Sequence, residues 1–209
     1  LFEVGLLNQQ VARCIEYTVE SGTTASDLCV KAANKLLEDL GWGKDTIDVI
    51  VFVSSSADYV VPPTACIIQE ELGLPETCLS IEIKHGCSGW VVGLNSAASL
   101  IMGGCLKRAL LLCGDTSTLL HSPFDKETRP LFGDAGSCTA LEFDTIASTL
   151  EFEHGTRGKD FKSIYTPVGG CRNAVTAKDL EFIEYGPNQL RRNIDCTMDG
   201  MNVFAFGMS

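Results

Sequence analysis

The chain has 209 residues, of which 45% are hydrophobic and 21% charged, the balance of an ordinary globular protein rather than a disordered or repetitive one. Its 16 basic and 27 acidic residues give a formal net charge of -11. A chain this acidic repels phosphate, which argues against nucleic acid or an anionic membrane as its partner.

Apolar periodicity and capping and turn residues divide the chain into elements. Residues 1–22 are predicted as a strand and a loop, and residues 154–198 as a loop-rich segment. The first predicted helix covers 24–40, opens with a capping box and stops at Gly41. Two strand–helix pairs follow, a strand over 48–53 with a helix over 62–72 and a strand over 79–83 with a helix over 88–102. The remaining predicted elements are a strand over 109–113, a tight turn over 132–136, a hairpin of strands over 137–143 and 147–153, and a last helix from 199 or 200.

This order of elements predicts an α/β fold with a mixed, mostly parallel sheet that has an antiparallel edge. The strand over 48–53 is apolar throughout, which predicts burial on both of its faces. The helix over 88–102 is apolar nearly all round, so we expect it in the interior. It is too short to span a bilayer, and no membrane partner is expected.

Ten cysteines are many for this length, but their positions indicate neither a disulfide scaffold nor a zinc site. None forms a C-x-x-C pair, and the chain has only three histidines. We therefore expect no metal, a reducing cytoplasmic location, and cysteines that mostly act as small buried hydrophobes.

Cys87 differs from the other cysteines because it lies between a predicted strand and the first turn of the helix over 88–102. Open α/β sheets place their sites at the carboxyl ends of strands. A helix N-terminus supplies free N–H groups and partial positive charge, which stabilise the nucleophilic thiolate. Gly86 and Gly89 permit a sharp turn there and the close approach of a substrate. Position alone leaves two interpretations open, a nucleophile and one more buried cysteine.

His85, near the Cys87 turn, and Asp134, in the predicted turn over 132–136, are predicted to be structural. His85 is two residues from Cys87, so its ring need not face the sulfur. Asp134 lies in the sequence Phe-Gly-Asp-Ala-Gly and is predicted as a turn residue, because Gly-Asp pairs are common in turns. His121 and His154 fall in no recognisable constellation.

Four segments occur in a specific order and spacing. They are DYVVPPTAC at 58–66, IKHGCSGW at 83–90, LLLCGD at 110–115 and LFGDAG at 131–136. Together they resemble the N-terminal half of β-ketoacyl-acyl-carrier-protein synthase III, within the thiolase superfamily. The segment TMDGMNVF at 197–204 resembles the point at which that family crosses into its second half.

The resemblance implies a thiolase-like layered fold, αβαβα in the full protein, with residues 1–209 as the N-terminal half and the C-terminal half absent from this chain. It implies that Cys87 takes an acyl group from acyl-CoA. The acyl-enzyme would then condense with a malonyl-carrier by decarboxylative Claisen chemistry, as in fatty-acid initiation. Acyl-CoA and malonyl-acyl-carrier protein are then the substrates, and no cofactor is expected.

The resemblance also implies binding residues and an assembly. Val61 falls where the family lines its acyl pocket, often across the dimer interface, and Lys126 falls where the family has an arginine near the CoA nucleotide. A homodimer is expected, and the strand over 109–113 suits the pairing because it is apolar on both faces.

Departures from the family leave alternatives open. The family's histidine and asparagine lie in a Pro-His-Gln-Ala-Asn-like stretch that does not occur here, so this chain alone is not expected to complete condensation. The family's basic stretch before the first helix is reduced to Arg13. The alternatives are a thiolase-fold acyltransferase of secondary metabolism or glycan acylation, and a non-catalytic scaffold half. A hydroxymethylglutaryl-CoA synthase is disfavoured, because the loop over 54–58 lacks that enzyme's glutamate.

Overall fold

The computed structural model describes residues 4–5, 18–147 and 149–207, with side chains for 18–147 and 149–203. Its strands are β1 (Val4–Gly5), β2 (Val49–Ser54), β3 (Leu79–Lys84), β4 (Arg108–Thr116), β5 (Asp134–Phe143), β6 (Ile164–Tyr165), β7 (Ile183–Gly186), β8 (Gln189–Arg191) and β9 (Thr197–Met198). Its α-helices are α1 (Ala25–Leu40), α2 (Thr64–Leu72), α3 (Gly89–Met102), α4 (Ser117–Leu120) and α5 (Gly200–Gly207). Short 3-10 helices cover Lys44–Thr46, Gly158–Ser163 and Ala177–Leu180.

The described residues divide into two compact units. Unit 1 combines 1–116 with 134–153 and holds β1 to β5 and α1 to α3. Unit 2 combines 117–133 with 154–209 and holds α4, α5 and two small sheets, in which β6 pairs with β9 and β7 with β8. Because these strands are only two to four residues long, the predicted loop-rich character of 154–198 is confirmed.

The sheet of unit 1 has the strand order β1-β5-β4-β2-β3. β2 runs parallel to both β3 and β4, whereas β5 is antiparallel to β4 and to β1. Every residue of β2 is buried, as the apolar run predicts. The α/β class and the mixed sheet with an antiparallel side are thus confirmed.

Side chains of the central strands alternate between two apolar cores. In β2, Ile50 and Phe52 belong to the core that contains α1 and α2, whereas Val51 and Val53 belong to the core that contains α3. The sheet is therefore covered on both faces, which explains the uninterrupted apolar sequence of β2.

The ends of α1 follow the predicted signals. The Thr24 hydroxyl accepts a hydrogen bond from the Asp27 N–H, and the Asp27 carboxylate accepts one from the Thr24 N–H, which completes the capping box. Gly41 ends the helix in the left-handed conformation, with φ of 64°.

The predicted strand over 137–143 is confirmed as part of β5, but the predicted turn over 132–136 and the hairpin with a second strand over 147–153 are wrong. β5 already begins at Asp134, and its partners are β4 and β1, while residues 147 and 149–153 form no strand. Asp134 is buried and accepts a hydrogen bond from the Val19 N–H at 2.8 Å. A Cβ on Gly136 would lie 2.6 Å from the Cys29 nitrogen, so this glycine allows α1 to pack closely on β5.

Two further expectations need correction. α3 buries one face only, and Val91 and Met102 on its other side are 44% and 39% exposed. β4 has neighbours along both edges, so pairing of a second chain through 109–113 is wrong. In the described part of the chain the edge of β3 opposite β2 is open. No helix within the described residues is long and apolar enough to cross a membrane.

Candidate active site

Cys87 lies in the four-residue turn between β3 and α3 and is exposed. It directly precedes Ser88, the N-cap of α3. The Gly89 N–H donates to the Gly86 carbonyl oxygen at 2.7 Å, which closes the turn around Cys87. The turn follows the carboxyl end of a parallel strand. The structure therefore has Cys87 between a strand and the start of a helix, as predicted.

Two glycines determine how closely α3 approaches the sheet. A Cβ on Gly89 would lie 2.7 Å from Val53 Cγ1, and a Cβ on Gly93 would lie 2.5 Å from Leu111 Cδ1. Both distances are below van der Waals contact, so larger residues there would displace the helix. The start of α3, and with it Cys87, is therefore held by close packing on β2 and β4.

His85 Nε2 lies 2.8 Å from Ser88 Oγ, so the two side chains are hydrogen-bonded across the turn that carries Cys87. The His85 ring is thus engaged in holding the turn, as its predicted structural role requires.

Asp115 is a site residue that the sequence analysis missed. Its Oδ1 accepts hydrogen bonds from the Ser55 N–H at 2.7 Å, from the Ser56 N–H at 3.1 Å and from the Ser54 hydroxyl at 3.1 Å. Asp115 thereby ties the loop after β2 to β4. A Cβ on Gly86 would lie 3.7 Å from Ser55 Oγ, so this loop borders the Cys87 turn. The signal available was a carboxylate two residues after an apolar strand run.

Val61 lies in the loop between β2 and α2 and is 78% exposed. β2 and β3 are parallel neighbours with Ser54 paired to Lys84, so the loops of Val61 and Cys87 both begin at the carboxyl ends of these strands. The Glu82 carboxylate accepts hydrogen bonds from the N–H groups of Thr64 and Ala65, which fixes α2 against β3. These contacts set where the Val61 loop ends.

Lys126 lies in unit 2, is exposed and lines a cavity of about 370 Å³. The other lining residues are Pro123, Phe124, Asp125, Arg129, Pro130 and Asn188. Cys87 and Val61 belong to unit 1, whereas Lys126 belongs to unit 2.

Asp125, beside Lys126, is buried. Burial by itself would raise the pKa of its carboxyl group, but hydrogen bonds from Arg191, Thr128 and Tyr185 outweigh that effect and hold the pKa well below its usual range. Partial desolvation of the Tyr185 hydroxyl and the hydrogen bond that it donates to Asp125 raise the pKa of Tyr185 above its ordinary value.

Comparison with known proteins identifies a family of enzymes to which this chain is similar. A family model described as 3-oxoacyl-[acyl-carrier-protein] synthase III matches residues 81–158, which include Cys87 and Lys126. A Campylobacter jejuni protein named as a 3-oxoacyl-[acyl-carrier-protein] synthase 3 is 34% identical over 190 residues, which are 90% of this chain and 53% of that protein. This chain is related to the 3-oxoacyl-[acyl-carrier-protein] synthase III enzymes.

Solved structures support the same relationship. A 3-oxoacyl-(acyl-carrier-protein) synthase III crystal structure has a TM-score of 0.82 and 32% identity, covering 91% of this chain and 57% of its own. The synthase of Burkholderia xenovorans LB400 has a TM-score of 0.77 and 36% identity, covering 92% and 53%. The resemblance and the thiolase-type fold are therefore confirmed. This chain spans about half the length of the synthases it matches.

The cysteines differ from the expectation that most are buried. The described cysteines are all free; Cys29, Cys78 and Cys138 are buried, Cys113 and Cys196 are partly buried, and Cys66, Cys87, Cys105 and Cys171 are exposed. Cys14 lies outside the described residues. Burial raises the pKa of Cys29 and of Cys113 to about 12, so both stay protonated thiols at neutral pH. Exposure alone therefore does not single out Cys87 in this synthase relative; its place before α3 does.

In the described part of the chain, no group of three or more histidine, cysteine, aspartate or glutamate side chains is placed to hold a metal ion.

Proposed function

We propose that the protein containing this chain is a condensing enzyme of the 3-oxoacyl-acyl-carrier-protein synthase III type, with Cys87 as its nucleophile. The observation that carries this proposal is the exposed position of Cys87 before the N-cap of α3. The family match over 81–158 includes that turn. On this proposal residues 1–209 are the N-terminal half of the enzyme. The partly exposed apolar face of α3 suits a helix that the other half would cover.

The proposed reaction has two steps. The Cys87 thiolate attacks the carbonyl carbon of an acyl-CoA, a carbon–sulfur bond forms, and CoA leaves as its thiolate. A malonyl group on the carrier protein then loses carbon dioxide, and the carbon that keeps the electron pair attacks the acyl carbon. The Cys87 thiolate leaves, and a 3-oxoacyl-carrier is the product. Neither step needs an oxidant, a metal or a cofactor.

Two residues are proposed to bind substrate. Val61 presents a largely exposed apolar side chain in a loop at the same strand ends as the Cys87 turn. An apolar side chain there suits contact with an acyl chain. Lys126 presents a cation in the cavity of unit 2, which suits the phosphates of CoA. Lysine supplies the charge without the planar fork of an arginine, so it would hold phosphate as a point charge.

The proposed assembly is a cytoplasmic homodimer that works with an acyl-carrier protein. No strand of the described residues pairs with the outer edge of β3, so a second copy of the chain could pair with it there. The free thiols of the described residues fit a reducing compartment. Light scattering checks the assembly: a dimer is expected, and a clean monomer would count against pairing at β3.

Mass spectrometry of the full chain after incubation with acetyl-CoA or octanoyl-CoA tests the nucleophile. The acyl mass shift is expected on the peptide of Cys87 and not on those of Cys66, Cys105 or Cys171, which are also exposed. These three thiols serve as internal controls for unselective acylation, and Cys87→Ser should abolish the label. Acylation of another cysteine with none on Cys87 would refute the assignment.

Addition of malonyl-acyl-carrier protein to the labelled chain tests the second step. The chain alone is expected to release neither carbon dioxide nor a 3-oxoacyl product, since the family's activating histidine and asparagine do not occur in it. Acyl transfer to a hydroxyl acceptor without carbon dioxide would instead indicate an acyltransferase. Absence of any Cys87 label would indicate a scaffold.

A further inference from the structure

The segment that carries Lys126 is bound to the two-stranded ribbon formed by β7 and β8. Ser122 Oγ donates to the Leu190 carbonyl oxygen at 2.6 Å. The Phe124 and Phe182 rings meet edge to face with centroids 5.3 Å apart. These contacts fix the segment before Lys126 from the side of the ribbon.

Arg191, the last residue of β8, holds both sequence neighbours of Lys126. Its Nε donates to Asp125 Oδ2 at 2.8 Å, and its Nη2 donates to Glu127 Oε2 at 3.1 Å. Its guanidinium carbon lies 3.7 Å from the centre of the Tyr185 ring, whose hydroxyl donates to Asp125 Oδ1 at 2.7 Å. One planar guanidinium thus bridges two carboxylates and stacks on an aromatic ring, an arrangement that lysine cannot reproduce.

Burial makes this arrangement rigid. The Asp125 side chain has no exposed surface and that of Arg191 is 15% exposed, whereas the Glu127 side chain is 58% exposed. A buried charged pair loses much when one partner is removed, whereas an exposed one contributes little. The Asp125 contact therefore fixes the backbone at Lys126, and the Glu127 contact adds a weaker restraint.

The ribbon also forms part of the wall of the Lys126 cavity. Asn188, in the turn between β7 and β8, lines it together with Lys126 and Arg129. Asn188 has φ of 57°, a conformation that asparagine tolerates better than most residues. The same ribbon thus restrains the cation and shapes the cavity into which it faces.

We propose that Arg191 is a positioning residue for Lys126, through which the β7–β8 ribbon sets the affinity of this cavity for the phosphate-bearing part of acyl-CoA. The inference rests on the proposed function and deepens it. Lysine has a flexible stem whose ordering on binding costs free energy. A backbone fixed in advance leaves only this stem to be ordered on binding, so Arg191 acts by pre-organisation without touching the ligand.

A double-mutant cycle on the full chain tests this inference, with calorimetry of CoA binding as the readout. Arg191→Lys is expected to weaken CoA binding about fivefold or more, the change that corresponds to ordering the backbone of one residue. In the Lys126→Ala background the same substitution is expected to have no further effect, because its target is gone. Glu127→Ala, which removes only the exposed contact, should weaken binding less than Arg191→Lys, and it keeps the test open if Arg191→Lys folds poorly.

Three readouts separate positioning from general damage. The rate at which iodoacetamide alkylates Cys87 should be unchanged in Arg191→Lys. Lys178→Gln removes an exposed cation of unit 2 and should leave CoA binding unchanged. Equal weakening by Arg191→Lys with and without Lys126 would overturn the inference.

Acylation of wild-type Cys87 separates the two proposals. If acyl-CoA labels Cys87 but Arg191→Lys binds CoA normally, the inference fails and the proposed function stands. If acyl-CoA does not label Cys87 and CoA does not bind, the proposed function fails and the inference fails with it.

Discussion

The two units of this chain are stabilised in different ways. Unit 1 packs α-helices on both faces of a sheet whose central strand β2 is entirely buried and apolar. Unit 2 has strands of two to four residues, and it contains a buried carboxylate, Asp125, that accepts hydrogen bonds from Arg191, Tyr185 and Thr128. Apolar area dominates the first unit, and directed polar contacts dominate the second.

The difference shows how each unit supports its candidate residue. In unit 1 the position of Cys87 follows from the non-directional packing of Gly89 and Gly93 on the sheet. In unit 2 the position of Lys126 follows from a few hydrogen bonds whose strength depends on charge. The stability of unit 1 should therefore fall most when a buried side chain is made smaller. The stability of unit 2 should fall most when a charged side chain is neutralised by substitution or by a change of pH.

The largest expected effect is a cavity in unit 1. Phe52 is fully buried in the core beneath α1 and α2, so Phe52→Ala should lower the free energy of unfolding by about 3–5 kcal/mol. Both tryptophans of the chain, Trp42 and Trp90, lie in unit 1, so denaturant titration followed by tryptophan emission reports its unfolding. Phe161→Ala, at a 62% exposed position of unit 2, is the matched control and should leave that transition unchanged. An equal loss in both variants would contradict the assignment of Phe52 to the core of unit 1.

Local signals and contacts between distant residues differ in how well the sequence predicts them. The capping box at Thr24, the stop at Gly41 and the buried strand over 48–53 are local or periodic signals, and all three match the structure. The glycine-rich segment over 132–136 is compatible with two structures, a turn and a strand on which a helix packs closely. The sequence predicts a turn there, whereas Gly136 allows the close approach of α1, a partner more than a hundred residues away in the sequence. Nothing local distinguishes these two uses of glycine.

The candidate site shows the same limit. The placement of Cys87 followed from a strand and a helix that are adjacent in sequence. The Asp115 contacts to Ser54, Ser55 and Ser56 join residues about 60 positions apart, and so do the contacts between Asp125 and Arg191. Such contacts depend on strand order, which periodicity does not specify. Family resemblance predicts Lys126 but not the ribbon that contacts its neighbours.

A loss of charge in unit 2 should have the next largest effect. Asp125→Asn keeps the shape of the side chain but leaves Arg191 without its buried carboxylate, which should cost about 1.5–3 kcal/mol. Trypsin cleavage at Arg157, Lys159 and Lys162 reports the opening of unit 2 and should become faster. The tryptophan transition of unit 1 should move less than in Phe52→Ala. A variant with unchanged cleavage would show that the polar cluster does not stabilise unit 2.

The pH dependence gives a smaller effect with a definite sign. Hydrogen bonds from Arg191, Thr128 and Tyr185 depress the pKa of Asp125 in the folded state, despite the opposing effect of burial. A carboxyl group with a depressed folded pKa stabilises the fold above its unfolded pKa of about 4, and that contribution is lost as the pH falls through the folded value. The difference in unit 2 proteolysis between wild type and Asp125→Asn, measured with pepsin below pH 5 and trypsin above, should be constant from pH 5 to 8 and shrink below about pH 4. A difference that grows on acidification would reverse the assigned direction.

The smallest effect comes from removing a polar contact in the apolar unit. Trp90 Nε1 donates to Thr139 Oγ1 at 3.1 Å, and Thr139→Val removes the acceptor with little change of volume. Trp90 is only partly buried, and the expected cost is about 0.5–1.5 kcal/mol, the net contribution of one ordinary hydrogen bond. The same denaturant titration measures it, and the tryptophan emission maximum should shift as the indole N–H changes partner. If Thr139→Val cost as much as Asp125→Asn, directed polar contacts would matter equally in both units, and the distinction between a unit held by volume and a unit held by charge would fail.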